Sequence, residues 1–207
     1  AEVGMDRIYF FSSKAFLNRK KGYIKGVSQD ITELKSLEYE KLQKDKGQFK
    51  LTNLDVNSEQ QDFGASYYQD QVVFASSREG TKSILRRWNW NQLPFLDTYV
   101  ASNNNGQLNN PVRFSKKVNK KFHEGPVAFN QAGDMMIFTR NNYGEKAEDK
   151  VNRLKLFSSN LENGKWTKPA ALPYNSPDHS VGHASISADG KTLYFASDMP
   201  GGKGGVD

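Results

Sequence analysis

Val181-Gly182-His183-Ala184-Ser185-Ile186, a turn at Ala188-Asp189-Gly190, and Thr192-Leu193-Tyr194-Phe195-Ala196-Ser197 make up the stretch whose reading decides the fold. Asp-Gly is a hairpin signal, because glycine accepts the positive φ that tight turns demand. The run after the turn is continuously apolar, as expected of a strand covered on both faces. The same stretch occurs twice more upstream. One copy runs Glu124-Gly125-Pro126-Val127-Ala128-Phe129, turns at Ala132-Gly133-Asp134, and continues Met135-Met136-Ile137-Phe138-Thr139. The other runs Phe63-Gly64-Ala65-Ser66-Tyr67-Tyr68 and then Val72-Val73-Phe74-Ala75-Ser76-Ser77, three turn residues shorter.

The spacings repeat as well as the residue types. Gly125 to Gly133 and Gly182 to Gly190 are both eight residues, and Gly125 to Phe138 and Gly182 to Phe195 are both 13. A second signature falls between the copies: Asn105-Gly106-Gln107-Leu108-Asn109-Asn110-Pro111 matches Asn163-Gly164-Lys165-Trp166-Thr167-Lys168-Pro169, 58 residues on. Asn-Gly ahead of Trp166 marks another hairpin. Asn57, Asn119 and Asn175 recur six or seven residues before the repeat glycine. Self-similarity at a fixed period signals a repeat architecture.

These readings define the expected fold class: all-β, a partial β-propeller with WD-like repeats. A period near 58 exceeds the roughly 40–45 residues of a minimal blade and leaves room for long loops. About two and a half blades are present, whereas a closed propeller needs at least ~4. The last residues, Gly204-Gly205-Val206-Asp207, fall where the first copy continues Asp97-Thr98-Tyr99-Val100. The blades over 51–207 are therefore expected to be truncated at their C-terminal end, with the natural chain continuing or a partner covering the edge. The repeat glycines are expected to mark close backbone packing.

Residues 1–50 differ in character. Asp30 caps an expected helix near 31–46, with Ile31, Leu34, Leu37 and Leu42 mostly on one side, Glu33 three residues after the cap and Gly47 beyond the end. Residues 1–29 mix aromatic and basic side chains without a period, and fit either a strand and loop or an ordered tail.

Composition narrows the function classes. Hydrophobic residues make up 36% of the 207 and aromatics 12%, a mix that suits many short strands joined by polar turns. No run approaches the roughly 18 apolar residues of a membrane span. An export signal, if the protein is secreted, is expected to be removed or to lie outside this sequence. With no cysteine, disulfides and thiolate metal sites are excluded. The net charge of +6 is spread over Arg19-Lys20-Lys21, Arg86-Arg87, Lys116-Lys117 and Lys120-Lys121, with no nucleic-acid recognition motif.

Chemistry-bearing constellations are sparse. His179 and His183 stand four apart, but at a loop-to-strand junction and not on a helix, so the zinc-helix pattern is missing. His123 and His183 fall near equivalent places in successive repeats, which suits a structural role. Ser76, Ser77, Ser158, Ser159 and Ser197 lack the Gly-x-Ser-x-Gly turn of a nucleophile elbow. Gly201-Gly202-Lys203-Gly204-Gly205 lacks the spacing of a phosphate loop. No catalytic, metal or cofactor residue is assigned, and the expectation is a protein that is not an enzyme. The interaction candidate is the loop carrying Arg86, Arg87, Trp88, Trp90 and Phe95, since Trp and Arg dominate binding hot spots. Trp88 and Trp90 equally suit packing beneath their own loop.

Gly125-x-x-x-Phe129-x-x-x-Gly133-x-x-x-x-Phe138, and more loosely the copy from Gly182, resembles the propeller repeat of TolB-like proteins. Trp88-Asn89-Trp90-Asn91-Gln92-Leu93-Pro94-Phe95-Leu96-Asp97-Thr98-Tyr99, taken with Ser185 to Ser197, resembles OmpA-family proteins of the Bacteroidetes, of the PorE-like type associated with type IX secretion. The resemblance covers residues 50–207. It implies helical repeats ahead of a propeller and a peptidoglycan-binding OmpA-like domain behind it, none of whose residues lie in this sequence. It implies a periplasmic, outer-membrane-associated scaffold that links an outer-membrane partner of the PorP/SprF type to the cell wall in secretion or gliding motility. A carbohydrate- or peptidoglycan-binding propeller and the propeller of a prolyl-oligopeptidase-like hydrolase are the rival expectations.

Overall fold

A computed structural model of the chain describes residues 52–79, 86–89, 91–141 and 148–207. The helix expected at 31–46 and the segment 1–29 lie outside the described residues, as does Trp90. Leu54–Asp207 form one compact unit. Its described residues contain strands and turns but no helix.

Among the described residues, eleven strands follow one another: β1 (Asp62–Tyr68), β2 (Gln71–Ser76), β3 (Asp97–Asn104), β4 (Gln107–Arg113), β5 (Glu124–Phe129), β6 (Met135–Asn141), β7 (Leu154–Glu162), β8 (Lys165–Trp166), β9 (Ala170–Ala171), β10 (Val181–Ile186) and β11 (Leu193–Ser197). They form three antiparallel sheets. The first has the order β1-β2-β3-β4, the second β5-β6-β7 with β8 and β9 both on β7, and the third β10-β11. No sheet closes on itself.

The turns form where the sequence placed them. Asn105-Gly106 and Asn163-Gly164 both hold two successive positive φ angles (53° and 86°, 50° and 71°), the mirror-image turn whose twist suits a two-residue hairpin. The β5–β6 and β10–β11 turns share one pattern. Gly133 (φ 70°) and Gly190 (φ 69°) donate to the carbonyls of Asn130 and Ser187, which start each loop. The β1–β2 turn is shorter and places Gln69 at φ 54°.

The ladders correct the alignment of the three copies at one point. Asp62, Glu124 and Val181 face Ser76, Arg140 and Ser197, so Gly64 stands one residue later than Gly125 and Gly182. Gly64 instead lies in a β-bulge, the place that His183 (φ 54°) occupies in β10. An added Cβ on Gly64 would come within 2.7 Å of Pro126, and on Gly182 within 3.2 Å of Thr139. Close packing therefore holds at Gly64 and Gly182, chiefly against side chains and with different neighbours, whereas a Cβ on Gly125 would make only ordinary contact with Thr139 at 3.4 Å. His123 and His183 are not equivalent either: one directly precedes Glu124, the other lies two residues beyond Val181.

The sheets stack face on face. Val73 and Val100 of the first sheet and Tyr68 of β1 pack against Met136, Phe138 and Trp166 of the second. Tyr68, Phe114, Phe129 and Trp166 form an aromatic cluster there, with ring centroids 4.5–6.0 Å apart. Ile137 and Leu156, on the opposite face of the second sheet, pack against Val181, Leu193 and Phe195 of the third. Alternation along one strand thus sends Phe138 to one neighbour and Ile137 to the other. Tyr194 occupies the place of Val73 and Ile137 in its sheet but is 62% exposed.

Two side-chain devices recur in successive sheets. Arg78 lies 5.1 Å over both Phe74 and Tyr99, which stack across β2 and β3, and pairs with Asp62 at 2.7 Å. Arg140 lies 5.0 and 4.9 Å over Phe138 and Phe157, which stack across β6 and β7, and pairs with Glu124 at 3.0 Å. Each guanidinium also donates to a valine carbonyl, Val56 or Val118. Each carboxylate accepts the backbone N–H four residues upstream, from Ser58 or Lys120. The second device is an asparagine clasp. Asn119 brackets the backbone of Thr98 in β3, and Asn175 brackets that of Leu156 in β7.

Candidate partner-binding surface

The connection from β2 to β3 carries the residues singled out for partner binding. Its described part folds back on itself: Arg87 and Pro94 form an isolated antiparallel bridge, and the Trp88 N–H donates to the Leu93 carbonyl at 2.8 Å. Gln92, at φ 59°, returns its own N–H to the Trp88 carbonyl. The Asn91 carboxamide oxygen accepts from Leu93, the short-range capture for which asparagine is favoured in turns. Arg87 staples the loop, donating to the Gln92 carbonyl at 2.9 Å and pairing with Glu79.

Of the five expected residues, Arg86 and Arg87 are exposed and Phe95 is half-buried. Trp88 is 37% exposed, and its ring meets His123 in a T-shaped contact at 5.0 Å and 81°. Its ring therefore packs against the loop's support and still presents surface. Trp90 lies outside the described residues.

The support comes from the linker between the first two sheets, at residues the sequence reading did not select. Phe95 meets Phe122 edge-on at 5.5 Å and His123 at 4.6 Å. His123 Nδ1 accepts the Leu96 N–H at 3.2 Å, and its backbone carbonyl accepts from Asn141. His123 therefore joins the β2–β3 loop, through its imidazole, to the second sheet, through its backbone. With Nδ1 accepting, the neutral ring carries its proton on Nε2, which is buried without a hydrogen-bond partner. Burial lowers the His123 pKa to about 4. The available signal was position: Lys120-Lys121-Phe122-His123 runs directly into the repeat strand.

Glu124, the next residue, is fully buried. Burial pushes its carboxyl up to about 7, against the pull of the Lys120 N–H and of Arg140. Asp62, its counterpart in the first sheet, ends below its ordinary value. Burial raises it, but the hydrogen bonds from Arg78, Ser76 and Ser58 together outweigh that.

The His183 N–H donates to Thr139 Oγ1 at 2.9 Å and its side chain is exposed. Among the described residues, no group of three His, Asp or Glu side chains is gathered to hold a metal ion, and no helix is long and apolar enough to cross a membrane. No protein-family model matches the chain, and neither a curated protein nor a solved structure matches it significantly. Among its described residues, Leu54–Asp207 is an all-β unit of three stacked antiparallel sheets with a stapled aromatic loop between β2 and β3.

Proposed function

We propose that Leu54–Asp207 is part of a β-propeller that serves as a non-catalytic protein-docking platform in the cell envelope, with the 86–95 loop as its contact element. The observation that carries the reading is the repetition of one stacking unit. The same arginine-over-two-rings device and the same asparagine clasp recur from sheet to sheet, as expected of blades that each bury a face on the next. The loop supports the docking role: it is pinned by backbone bonds and the Arg87–Glu79 pair, so little conformational freedom is lost on binding. Trp and Arg are the side chains most enriched at binding hot spots. The sequence resemblance suggests the setting, a periplasmic scaffold against an outer-membrane protein of the PorP/SprF type.

The test is co-purification of the full-length protein with its outer-membrane partner after replacing Arg87, Trp88 and Trp90 by Ala. The expected result is loss of the partner with an unchanged far-ultraviolet circular dichroism spectrum. Retention of the partner by the triple variant removes this loop from the account.

A further inference from the structure

We propose that the surface built by residues 86–89 and 91–95 and by the 114–123 linker recognises an acidic protein segment that carries aromatic side chains among its carboxylates. The proposal deepens the docking reading and rests on it. The first observation is an imbalance of charge. Arg86, Lys116, Lys117, Lys120 and Lys121 are all exposed, and none is among the cations whose ion pairs are found in the described residues. The carboxylates close by are already engaged: Glu79 with Arg87, Asp97 with Arg113, and Glu124 with Arg140. His123 is neutral at physiological pH, so the surplus is carried by lysine and arginine alone.

The second observation is how the rings are presented. Lys121 Nζ lies 4.9 Å over the face of Phe122, and Phe95 stands edge-on to both Phe122 and His123. Nucleic-acid bases need open ring faces on which to stack, and here one face is capped by an ammonium group. An ammonium seated on a ring is instead a point charge at a fixed place beside apolar surface. That combination suits a carboxylate flanked by an aromatic residue. Lys120 adds to the order of the patch, since its Nζ donates to the Lys116 carbonyl at 2.9 Å. The occupant that fits the surplus positive charge and the half-exposed Trp88 is an acidic, aromatic-bearing polypeptide.

The experiment titrates the full-length protein with a labelled random Glu–Tyr copolymer and, separately, with a 20-residue oligothymidylate, reading fluorescence anisotropy. Saturable copolymer binding is expected, weakening by about tenfold or more between 50 and 300 mM NaCl as the charges are screened. The quadruple variant K116E/K117E/K120E/K121E is expected to lose about tenfold or more in affinity at low salt. The neutral set K116Q/K117Q/K120Q/K121Q, with its melting transition intact, is expected to show an intermediate loss. Copolymer binding that survives charge reversal overturns the proposal. So does tighter binding of the oligothymidylate, which would make this a nucleic-acid surface. The two readings fail separately in co-purification with the outer-membrane partner. If lysine reversal leaves the partner bound while the alanine loop variant releases it, the acidic segment is wrong and the docking loop stands. If the loop variant keeps the partner while lysine reversal releases it, the docking loop is wrong and the acidic segment stands.

Discussion

Asn119 closes on Thr98 with both ends of its carboxamide: Oδ1 accepts from the Thr98 N–H at 2.7 Å and from its hydroxyl at 2.6 Å, while Nδ2 donates to the Thr98 carbonyl at 2.8 Å. Both residues are buried. The side chain thereby imitates the backbone of a neighbouring strand at the edge of β3, outside any ladder.

Asn119→Ala leaves the buried N–H and hydroxyl of Thr98 without their acceptor, while the Thr98 carbonyl keeps the Phe114 N–H. Each such group costs about 1–3 kcal/mol, so a loss of roughly 2–4 kcal/mol is expected in urea unfolding. Asn175→Ala opens the corresponding clasp on Leu156, but Asn175 is only half-buried, and water can partly replace it. The loss there is expected to be smaller, and equal losses would contradict the role of burial in the argument.

Arg140→Met strands the Glu124 carboxylate. Removing one partner of a buried ion pair costs about 3–5 kcal/mol, and that loss is expected near pH 8. Near pH 5 the loss is expected to shrink, because the Glu124 carboxyl, with a pKa of about 7, is then neutral. The double variant E124Q/R140M should recover part of the stability at pH 8. Arg78→Met is expected to be milder, since Asp62 keeps two hydrogen bonds from Ser58.

His123 and Glu124 impose opposite pH dependences on stability. The Glu124 pKa rises from 4.5 to about 7 on folding. Its contribution is therefore full below about pH 4.5 and lost as pH rises through 7. The His123 pKa falls from 6.5 to about 4. Its contribution is full above about pH 6.5 and lost as pH falls through 4. Over the shared window the two slopes oppose one another. His123→Phe is expected to unmask stability that declines with rising pH, and Glu124→Gln stability that increases with it. Thermal melts from pH 4.5 to 6.5 check this, and slopes of the same sign in the two variants refute it.

Gly64→Ala and Gly190→Ala separate two demands on glycine. Both sites have positive φ, 66° and 69°, but only Gly64 faces an obstacle, Pro126, while Gly190 opens on free space. The left-handed conformation costs an ordinary residue about 1–2 kcal/mol, and that is the loss expected at Gly190. At Gly64 the overpacking adds about 1–3 kcal/mol. Equal destabilisation of the two variants would mean that β1 moves off Pro126 freely.

Much of the local structure could be read directly from the residues. Asn163-Gly164 and Asp189-Gly190 announced their hairpins because positive φ selects glycine and asparagine. Val72 to Ala75 and Met136 to Phe138 are apolar runs buried on both faces, but the same reading of Leu193 to Ala196 fails at Tyr194, which is 62% exposed because no described sheet covers that face of β11. The alignment slipped at Gly64, because a bulge adds a residue without changing composition. The arginine device escaped notice for a related reason. Arg140 lies within β6, whereas Arg78 follows the end of β2, so aligning strand against strand separates them. Counting from the asparagines finds them: Val56-Asn57, Asp62 and Arg78 are each 62 residues before Val118-Asn119, Glu124 and Arg140. The loop's support was harder to foresee, since Phe122 and His123 reach Trp88 and Phe95 through space and not through any periodic pattern.

The direction in which the clasps reach bears on how the chain acquires its structure. Asn119 and Asn175 each follow the strands that they fasten, so a sheet is locked only after the segment leading to its successor has emerged. A nascent polypeptide would therefore consolidate the first two sheets in turn, from the N-terminal side onward, each held by residues made just after it.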